Sequence, residues 1–501
     1  MSNLTTDYAA NPLVRELQKD HTMFTKSDIE DYIIRHQIRM VNFMYPGGDG
    51  RLKTLNFVIH DRAHLDNILT AGERVDGSSL FNFITSGNSD LYVLPRFSTA
   101  FLDPFSEEPT LCMLCTFFNR DGAPLDSAPE NTLRKAMEAF HKVTGMDFEA
   151  MGELEFYAVE PNLNRYDAVD QHGYHESGPF SKGRAFRTQC MKAIAQAGGR
   201  IKYGHSEVGN FIEDGFNYEQ NEIEFLPVPA LEAADQLLIA KWVIRNIGFR
   251  NNLIITFAPK ITAGKAGSGM HIHMRMMKDG RNMMIRDGRL SDDARRMIAG
   301  MMEMAQSITA FGNKNPTSYF RLVPNQEAPT NICWGISNRS ALVRVPLGWT
   351  TTADMCGTAN PLDKGEGRDF SVKQTVEMRS PDGSADAYQL IAGLCIACRH
   401  GFEMDNALDV AARTFVEGDI HDDRHKAQLQ TLGMLPDSCC ASADCLERQR
   451  AIYEEMGVFS PDMIDSIIRD LRAFDDRTLR AEASTDPELM ESLVKRFLHC
   501  G

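Results

Sequence analysis

Positive charge is scarce in this sequence: 53 Lys and Arg face 69 Asp and Glu, leaving a formal charge of −16. That balance excludes the broad basic surface that nucleic acid or an anionic membrane would need, but suits an affinity for divalent cations. No apolar run approaches the length of a membrane span, and Met1 to Asn11 lacks a charged-then-apolar signal pattern, so the cytoplasm is the expected location. The common loop signatures are also missing. There is no GxxxxGK[ST], no GxGxxG, no HExxH and no GxSxG, so any nucleotide must be held by another design. The eleven cysteines are an odd number scattered along a long chain, which fits reduced thiols rather than a disulfide framework. Cys112/Cys115 and Cys395/Cys398 have CxxC spacing, but their apolar neighbours mark them as buried small hydrophobes.

With 501 residues, 43% of them hydrophobic, the chain is expected to form one small and one large domain. Residues 1–125 read as a small strand-dominated α+β unit. A capping box, Ser27 to Glu30, is expected to open a helix over Ile29–His36, and strands are expected at Ile38–Tyr45, Leu52–Ile59, Leu91–Leu94 and Leu111–Phe118. A second box, Ser127 to Glu130, precedes apolar residues at helical spacing and opens the larger domain, 126–501. Further helices are expected at Lys182–Ala197, Ala230–Ile247, Ser291–Phe311 and Ala387–Phe402, followed by a helical tail. Gly348–Gly367 reads as a long surface loop.

Four segments share an unusual pattern: Glu153-Leu-Glu155, Glu222-Ile-Glu224, His271-Ile-His273 and Glu377-Met-Arg379. Residues i and i+2 of a strand face the same side, so each segment places a charged pair on one face and an apolar residue on the other. An antiparallel sheet with one solvated side would give the same pattern. The alternative is that the stripes converge and aim carboxylates and imidazole at hard cations. Such a donor set suits Mg²⁺ or Mn²⁺, whose charge would make a crowd of ionised Glu tolerable. Arg321, Arg339, Arg344 and Arg379 accompany them, and Arg is the side chain for forked recognition of carboxylate and phosphate. Gly264 to Gly269 forms a flexible loop just before His271.

Taken together, the motifs resemble glutamine synthetase, nearest to the type I enzymes of bacteria and archaea. They are Asp76-Gly-Ser-Ser79, Gly152-Glu-Leu-Glu155, Gly267-Ser-Gly-Met-His271, Asn315-Pro-Thr317, Arg321-Leu-Val-Pro324, Glu327-Ala-Pro-Thr330, Asn338-Arg-Ser340 and Glu377-Met-Arg-Ser-Pro381, in order from about residue 28 to 402. The resemblance implies an α+β fold: a β-grasp-like N-terminal domain and a catalytic domain whose antiparallel sheet forms a tapered cavity. It also implies ATP-dependent amide synthesis from L-glutamate and ammonium through a γ-glutamyl phosphate, with two or more Mg²⁺ or Mn²⁺ per site. One metal would lie on Glu155, Glu207 and Glu222, the other on Glu153, His271 and Glu377. Gly267, Arg321 and Arg379 match the glutamate site, and Arg339 and Arg344 match the residues around the transferred phosphate. His273 and Arg344 fall on the nucleotide side. Glu327 matches the flap over the intermediate. Asp76, Ser79, Tyr174 and Glu207 match the ammonium pocket, with Asp76 reaching in from a neighbouring subunit. A homo-oligomer of stacked rings with sites between subunits is therefore expected. Ala266, Arg275 and Thr375 depart from the family pattern, on the nucleotide side. Two other readings stay open: a γ-glutamyl ligase acting on a larger amine, and a non-catalytic assembly or sensing protein of the same fold.

Overall fold

The computed structural model describes residues 4–84, 89–262, 264–323, 328–346, 353–363, 371–420 and 422–501. Helix α1 (Lys26–Arg35) starts three residues before the expected Ile29, because Thr25 and Asp28 form the capping box instead of Ser27 and Glu30. The Asp28 carboxylate accepts the Thr25 N–H at 2.9 Å. Strands β1 (Met40–Pro46) and β2 (Leu52–Val58) form a hairpin, and α2 (Arg62–Ala71) follows. Strands β3 (Glu73–Asp76), β4 (Asp90–Pro95) and β5 (Thr110–Phe118) complete a sheet of order β2-β1-β5-β4-β3. β5 is paired on both edges and almost continuously buried, which accounts for its uninterrupted apolar run. Cys112 and Cys115 lie on opposite faces of β5, Cys112 in the large core and Cys115 in the N-terminal core, and burial pushes both thiols up. All eleven cysteines are free thiols.

Helix α3 (Pro129–Thr144) has Ala128 as its N-cap and no side-chain capping bond, so the expected Ser127 box does not form. Glu130 turns inward instead and accepts the Phe117 N–H at 2.9 Å. The long strand β6 (Asp147–Pro161), helix α4 (Arg184–Gln196), the hairpin β7 (Ile201–Glu213) and β8 (Phe216–Phe225), and helix α5 (Ala230–Arg250) come next. They are followed by β9 (Met270–Lys278), helix α6 (Asp292–Gly312) and the short strands β10 (Trp334–Ile336), β11 (Val343–Val345) and β12 (Val376–Met378). The path of this sheet is β10-β11-β12-β9-β6-β8-β7, antiparallel except for β10 with β11. Helix α7 (Ala387–Glu403) packs with α3 and α6 in one continuous apolar core beneath the sheet. The tail is helical as expected, its clearest piece being α8 (Pro461–Arg472). Much of Gly348–Gly367 lies outside the described residues; within it, Met355–Ala359 is a short helix rather than loop. No helix among the described residues is long and apolar enough to cross a membrane.

Candidate active site

Register brings the stripes together. Across β6 and β8, Glu153 lies opposite Glu224 and Glu155 opposite Glu222. On the next strands, His271 lies opposite Glu153, His273 opposite Glu377, and His205 opposite Glu222. Like charges directly opposite one another destabilise a sheet unless something offsets them. The face they share is the wall of a cavity of about 890 Å³.

On one side of the cavity the offset comes from the protein. His271 Nδ1 is 3.0 Å from Glu153 and 3.5 Å from Glu377, and His273 Nε2 is 2.9 Å from Glu153. Arg344 and Arg379 pair with Glu377 at 2.8 and 3.1 Å. Burial opposes the ionisation of Glu153, but His273 and His271 outweigh it and hold the carboxyl well below its ordinary range. Glu377 is lowered too: burial and Glu153 oppose ionisation, while His273, His271 and Arg379 favour it. The other side is different. Burial, then the charges of Glu153, Glu155 and Glu207, push Glu222 well above the carboxylate range. Glu207 is pushed up to about 7 by burial and Glu155. His205, 3.1 Å from Glu222, is itself driven toward neutrality by burial. Carboxylates that burial and mutual repulsion keep protonated are the donor set a divalent cation would ionise, so these residues fit Mg²⁺ or Mn²⁺.

All six expected metal ligands converge. Groups among the described residues whose ligand atoms lie close enough to share an ion include Glu153/His273/Glu377, His205/Glu207/Glu222 and Glu153/Glu222/Glu224, which overlap the expected Glu153/His271/Glu377 and Glu155/Glu207/Glu222. Glu155 instead accepts the Gly269 N–H at 2.6 Å. Gly267, Arg321, Arg339, Arg344, Arg379 and Tyr174 also line the cavity. Arg321 donates to Ser380 O at 2.8 Å and lies 3.3 Å from His271. At Gly267 a Cβ would stand 2.5 Å from Pro259 O and 3.0 Å from Arg321, so glycine is required by close approach. The Arg339 guanidinium covers the Tyr174 ring at 5.9 Å.

Three expected residues, His273, Asp76 and Ser79, do not line the cavity, and a fourth, Glu327, is not among the described residues. His273 is buried between Glu153 and Thr375, whose Oγ1 is 2.9 Å from its Nδ1. Asp76 and Ser79 are exposed on the N-terminal sheet, and Ser79 donates to Asp76 at 2.6 Å. Of the departures, Arg275 is held by Glu149 at 2.6 Å and by Val372 O at 2.7 Å. Sequence alone assigns no role to His205, Tyr203 or Gln220, which line the cavity; Glu224, marked there as part of a stripe but not as a ligand, joins one of the acidic groupings. His205-Ser-Glu207 has the same i, i+2 spacing as the other stripes and was the available signal.

Comparison with known proteins agrees with this geometry. The family described as glutamine synthetase, catalytic domain, matches residues 126–485, and the glutamine synthetase β-grasp domain matches residues 37–120. A glutamine synthetase of Frankia alni is 28% identical over 481 residues, covering 89% of this chain and 94% of the relative. One from Thermus thermophilus is 32% identical over 339 residues, covering 66% and 70%. Among solved structures, the glutamine synthetase of Plasmodium falciparum superposes with a TM-score of 0.73 at 19% identity, covering 93% of this chain and 99% of that one. A GmaS–ADP complex gives 0.72 at 18% identity, covering 92% and 99%. With a β-grasp sheet ahead of a curled sheet that gathers glutamates, histidines and arginines, and with family matches spanning both, the chain belongs to the glutamine synthetase family.

Proposed function

We propose that this chain joins L-glutamate to ammonium with ATP, through a γ-glutamyl phosphate. The observation that carries the reading is one cavity in which five glutamates and two histidines face Arg321, Arg339, Arg344 and Arg379. A carboxylate is a poor acyl acceptor because its leaving group would be oxide, so the γ-carboxylate must first take a phosphoryl group. Arg321 and Arg379, beside Gly267, orient glutamate. Arg339 and Arg344 offset charge on the phosphoryl group, where catalysis is chiefly positioning and electrostatics. Glu155, Glu207 and Glu222 would hold one divalent ion and Glu153, His271 and Glu377 a second, with His205 and His273 beside them; such ions supply further neutralisation of phosphate charge. Arg344 serves the nucleotide side, and His273, buried behind the wall, steadies Glu153 there. Tyr174 and Glu207 receive the ammonium cation, and Asp76 and Ser79 of a neighbouring copy complete that pocket, Asp76 taking the proton that makes ammonia nucleophilic. Glu327 closes over the acyl phosphate and excludes water. The assembly is a homo-oligomer, read as stacked rings, working in the cytoplasm.

A specific observation favours a second reading, a γ-glutamyl ligase for a larger amine. Tyr174, His175, Tyr203 and His205 form a continuous aromatic wall, with Tyr174 stacked on His175 at 4.2 Å and Tyr203 5.8 Å from His205. Such faces suit the alkyl group of a substituted ammonium ion. The test is phosphate release from ATP with glutamate and Mn²⁺ or Mg²⁺. Release that requires ammonium supports the first reading, release only with methylamine or a polyamine supports the second, and silence with every amine despite metal binding points to an assembly or sensing protein.

A further inference from the structure

Behind the funnel, across the Ser380–Asp386 segment, lies a second cavity of about 380 Å³. Its walls come from several parts of the chain: the turn Gly48–Arg51, the residues at Lys314 and at Ser384, Phe474, and the tail from Phe497. Positive charge gathers there without its counterpart. Arg51 and Lys314 line the cavity, with Lys241 and Arg245 beside it, and none of the four has a carboxylate in ion-pair range among the described residues. They bond to neutral oxygens instead. Lys241 donates to Gly383 O at 2.8 Å and Ala385 O at 3.1 Å, and Arg245 donates to Cys500 O at 2.8 Å. Arg51 donates to His499 O, and Lys314 reaches Gln389 Oε1 at 3.3 Å.

Their crowding is visible in their acidity. Lys241 is pushed down to about 8 by burial and by the charge of Arg245. Arg245 is pushed down to about 10 by burial and by Arg51. The acids of the cavity wall do not compensate: Asp49 is taken by Lys53 at 2.6 Å, and Asp386 caps the Gln389 N–H at 2.9 Å with its carboxyl pushed up by burial. Lys241 is buried, Lys314 and Arg245 are half-buried and Arg51 stands at the exposed rim; cations crowded at such a place are costly unless an anion completes the group.

A second, independent observation points the same way. Asn315 lines the cavity and is only 4% exposed, and its Nδ2 meets no oxygen or nitrogen acceptor, only the Cys500 sulfur. Its orientation is fixed from the other end, since Oδ1 accepts from Thr317 N at 2.9 Å and from Thr317 Oγ1 at 2.5 Å. A thiol is a weak acceptor, so this buried and fixed amide donor can still take an anion's oxygen.

We propose that this cavity binds a small oxyanion, a carboxylate or a phosphate, through Lys314, Arg51 and the Asn315 amide. The site is joined to the funnel by a short hydrogen-bonded path. Asn313 Nδ2 donates to Ser380 O and Asp382 Oδ2, both at 2.8 Å, and Ser380 O also accepts from Arg321.

The test titrates full-length protein with succinate and, separately, inorganic phosphate, followed by calorimetry. The funnel arginines attract anions too, so the background is the triple variant Arg339→Ala/Arg344→Ala/Arg379→Ala, which leaves only the buried Arg321 there. Saturable binding of one equivalent per chain to that background is expected, weakened roughly tenfold or more when Lys314→Met or Asn315→Ala is added. Response to succinate alone identifies a carboxylate site, and response to phosphate alone a phosphate site. Absence of saturable binding of either probe, or binding that a folded Asn315→Ala variant leaves unchanged, overturns the proposal. Because the readout is binding and not turnover, it stands or falls separately from the ligase reading.

Discussion

Glu130 shows what a single misplaced charge costs. It is fully buried, one carboxylate oxygen accepts the Phe117 N–H, and the other has no partner. Burial pushes its carboxyl up to about 7, even with Arg96 opposing. In the unfolded chain it titrates near 4.5. Between those two values the folded protein holds a proton that the unfolded chain has lost, so stability falls as pH rises from about 4.5 to about 7 and then levels off. The penalty above pH 7 is roughly 3 kcal/mol. Glu130→Gln keeps the acceptor for Phe117 and removes the titration. Its urea midpoint at pH 8 is expected to exceed that of the unsubstituted chain, with the two converging near pH 5. Glu207 and Glu222 carry the same logic into the cavity. Both are raised by burial and neighbouring carboxylates, so a divalent ion must displace protons to bind. Mn²⁺ is expected to bind more tightly as pH rises from 6 to 8 and to release about one proton or more. Calorimetry in buffers of different ionisation enthalpy measures that release directly.

Among the secondary-structure elements, β8 carries two chemistries on its two faces. Gln220 and Glu222 line the funnel, while Glu219 and Asn221 serve a polar network behind it. Glu219 is 2% exposed and accepts from Ser181 Oγ at 2.6 Å, Lys182 N at 2.7 Å and Gly183 N at 3.1 Å. Those bonds fix the end of the segment that carries Tyr174, which His175 N and Gly173 N tie to β7 at 2.9 and 3.2 Å. Glu219→Leu is therefore expected to raise the KM for ammonium roughly tenfold while moving the KM for glutamate much less, because it loosens Tyr174 and leaves Arg321 alone. Steady-state kinetics with each substrate varied in turn decides it. The two faces of β8 also explain what the sequence could show. Glu153/Glu155, Glu222/Glu224 and His271/His273 were legible because an apolar residue separates each pair and announces a core on the other side. His205 and Glu207 are separated by Ser206, which faces the network of Ser181, Glu219 and Arg187, so the same spacing looked like ordinary polar strand. Helix starts failed for a related reason. Thr25/Asp28 and Ser27/Glu30 satisfy the same capping pattern, and the pull on Glu130 comes from an N–H on β5 that no local pattern reveals.

For the whole molecule, the position of Asp76 decides whether one chain suffices. Its carboxylate is exposed, lies outside this chain's cavity, and is held down to about 2 by hydrogen bonds from Ser79 and Ser78. An acid that ionised attracts a cation well but takes a proton poorly, so its service as a base requires those serine bonds to rearrange when it meets the ammonium of a neighbouring copy. A site shared between copies has a consequence that no single-chain site has. Asp76→Ala alone and Glu377→Gln alone should each be inactive, the first for want of a base and the second for want of the acid that joins His271 to Arg344. Mixed within one oligomer, the two lesions fall on different halves of some sites and leave those sites whole. Random assembly makes a site whole when the funnel comes from an Asp76→Ala chain and the reaching carboxylate from a Glu377→Gln chain, so about a quarter of the original activity should return. Co-expression with two different tags, purification over both, and the ammonium-dependent phosphate assay measure it. Recovery places Asp76 in a neighbour's funnel. Doubly tagged oligomers as silent as either parent would mean that each chain carries its chemistry alone and that Asp76 serves only to cap its own turn.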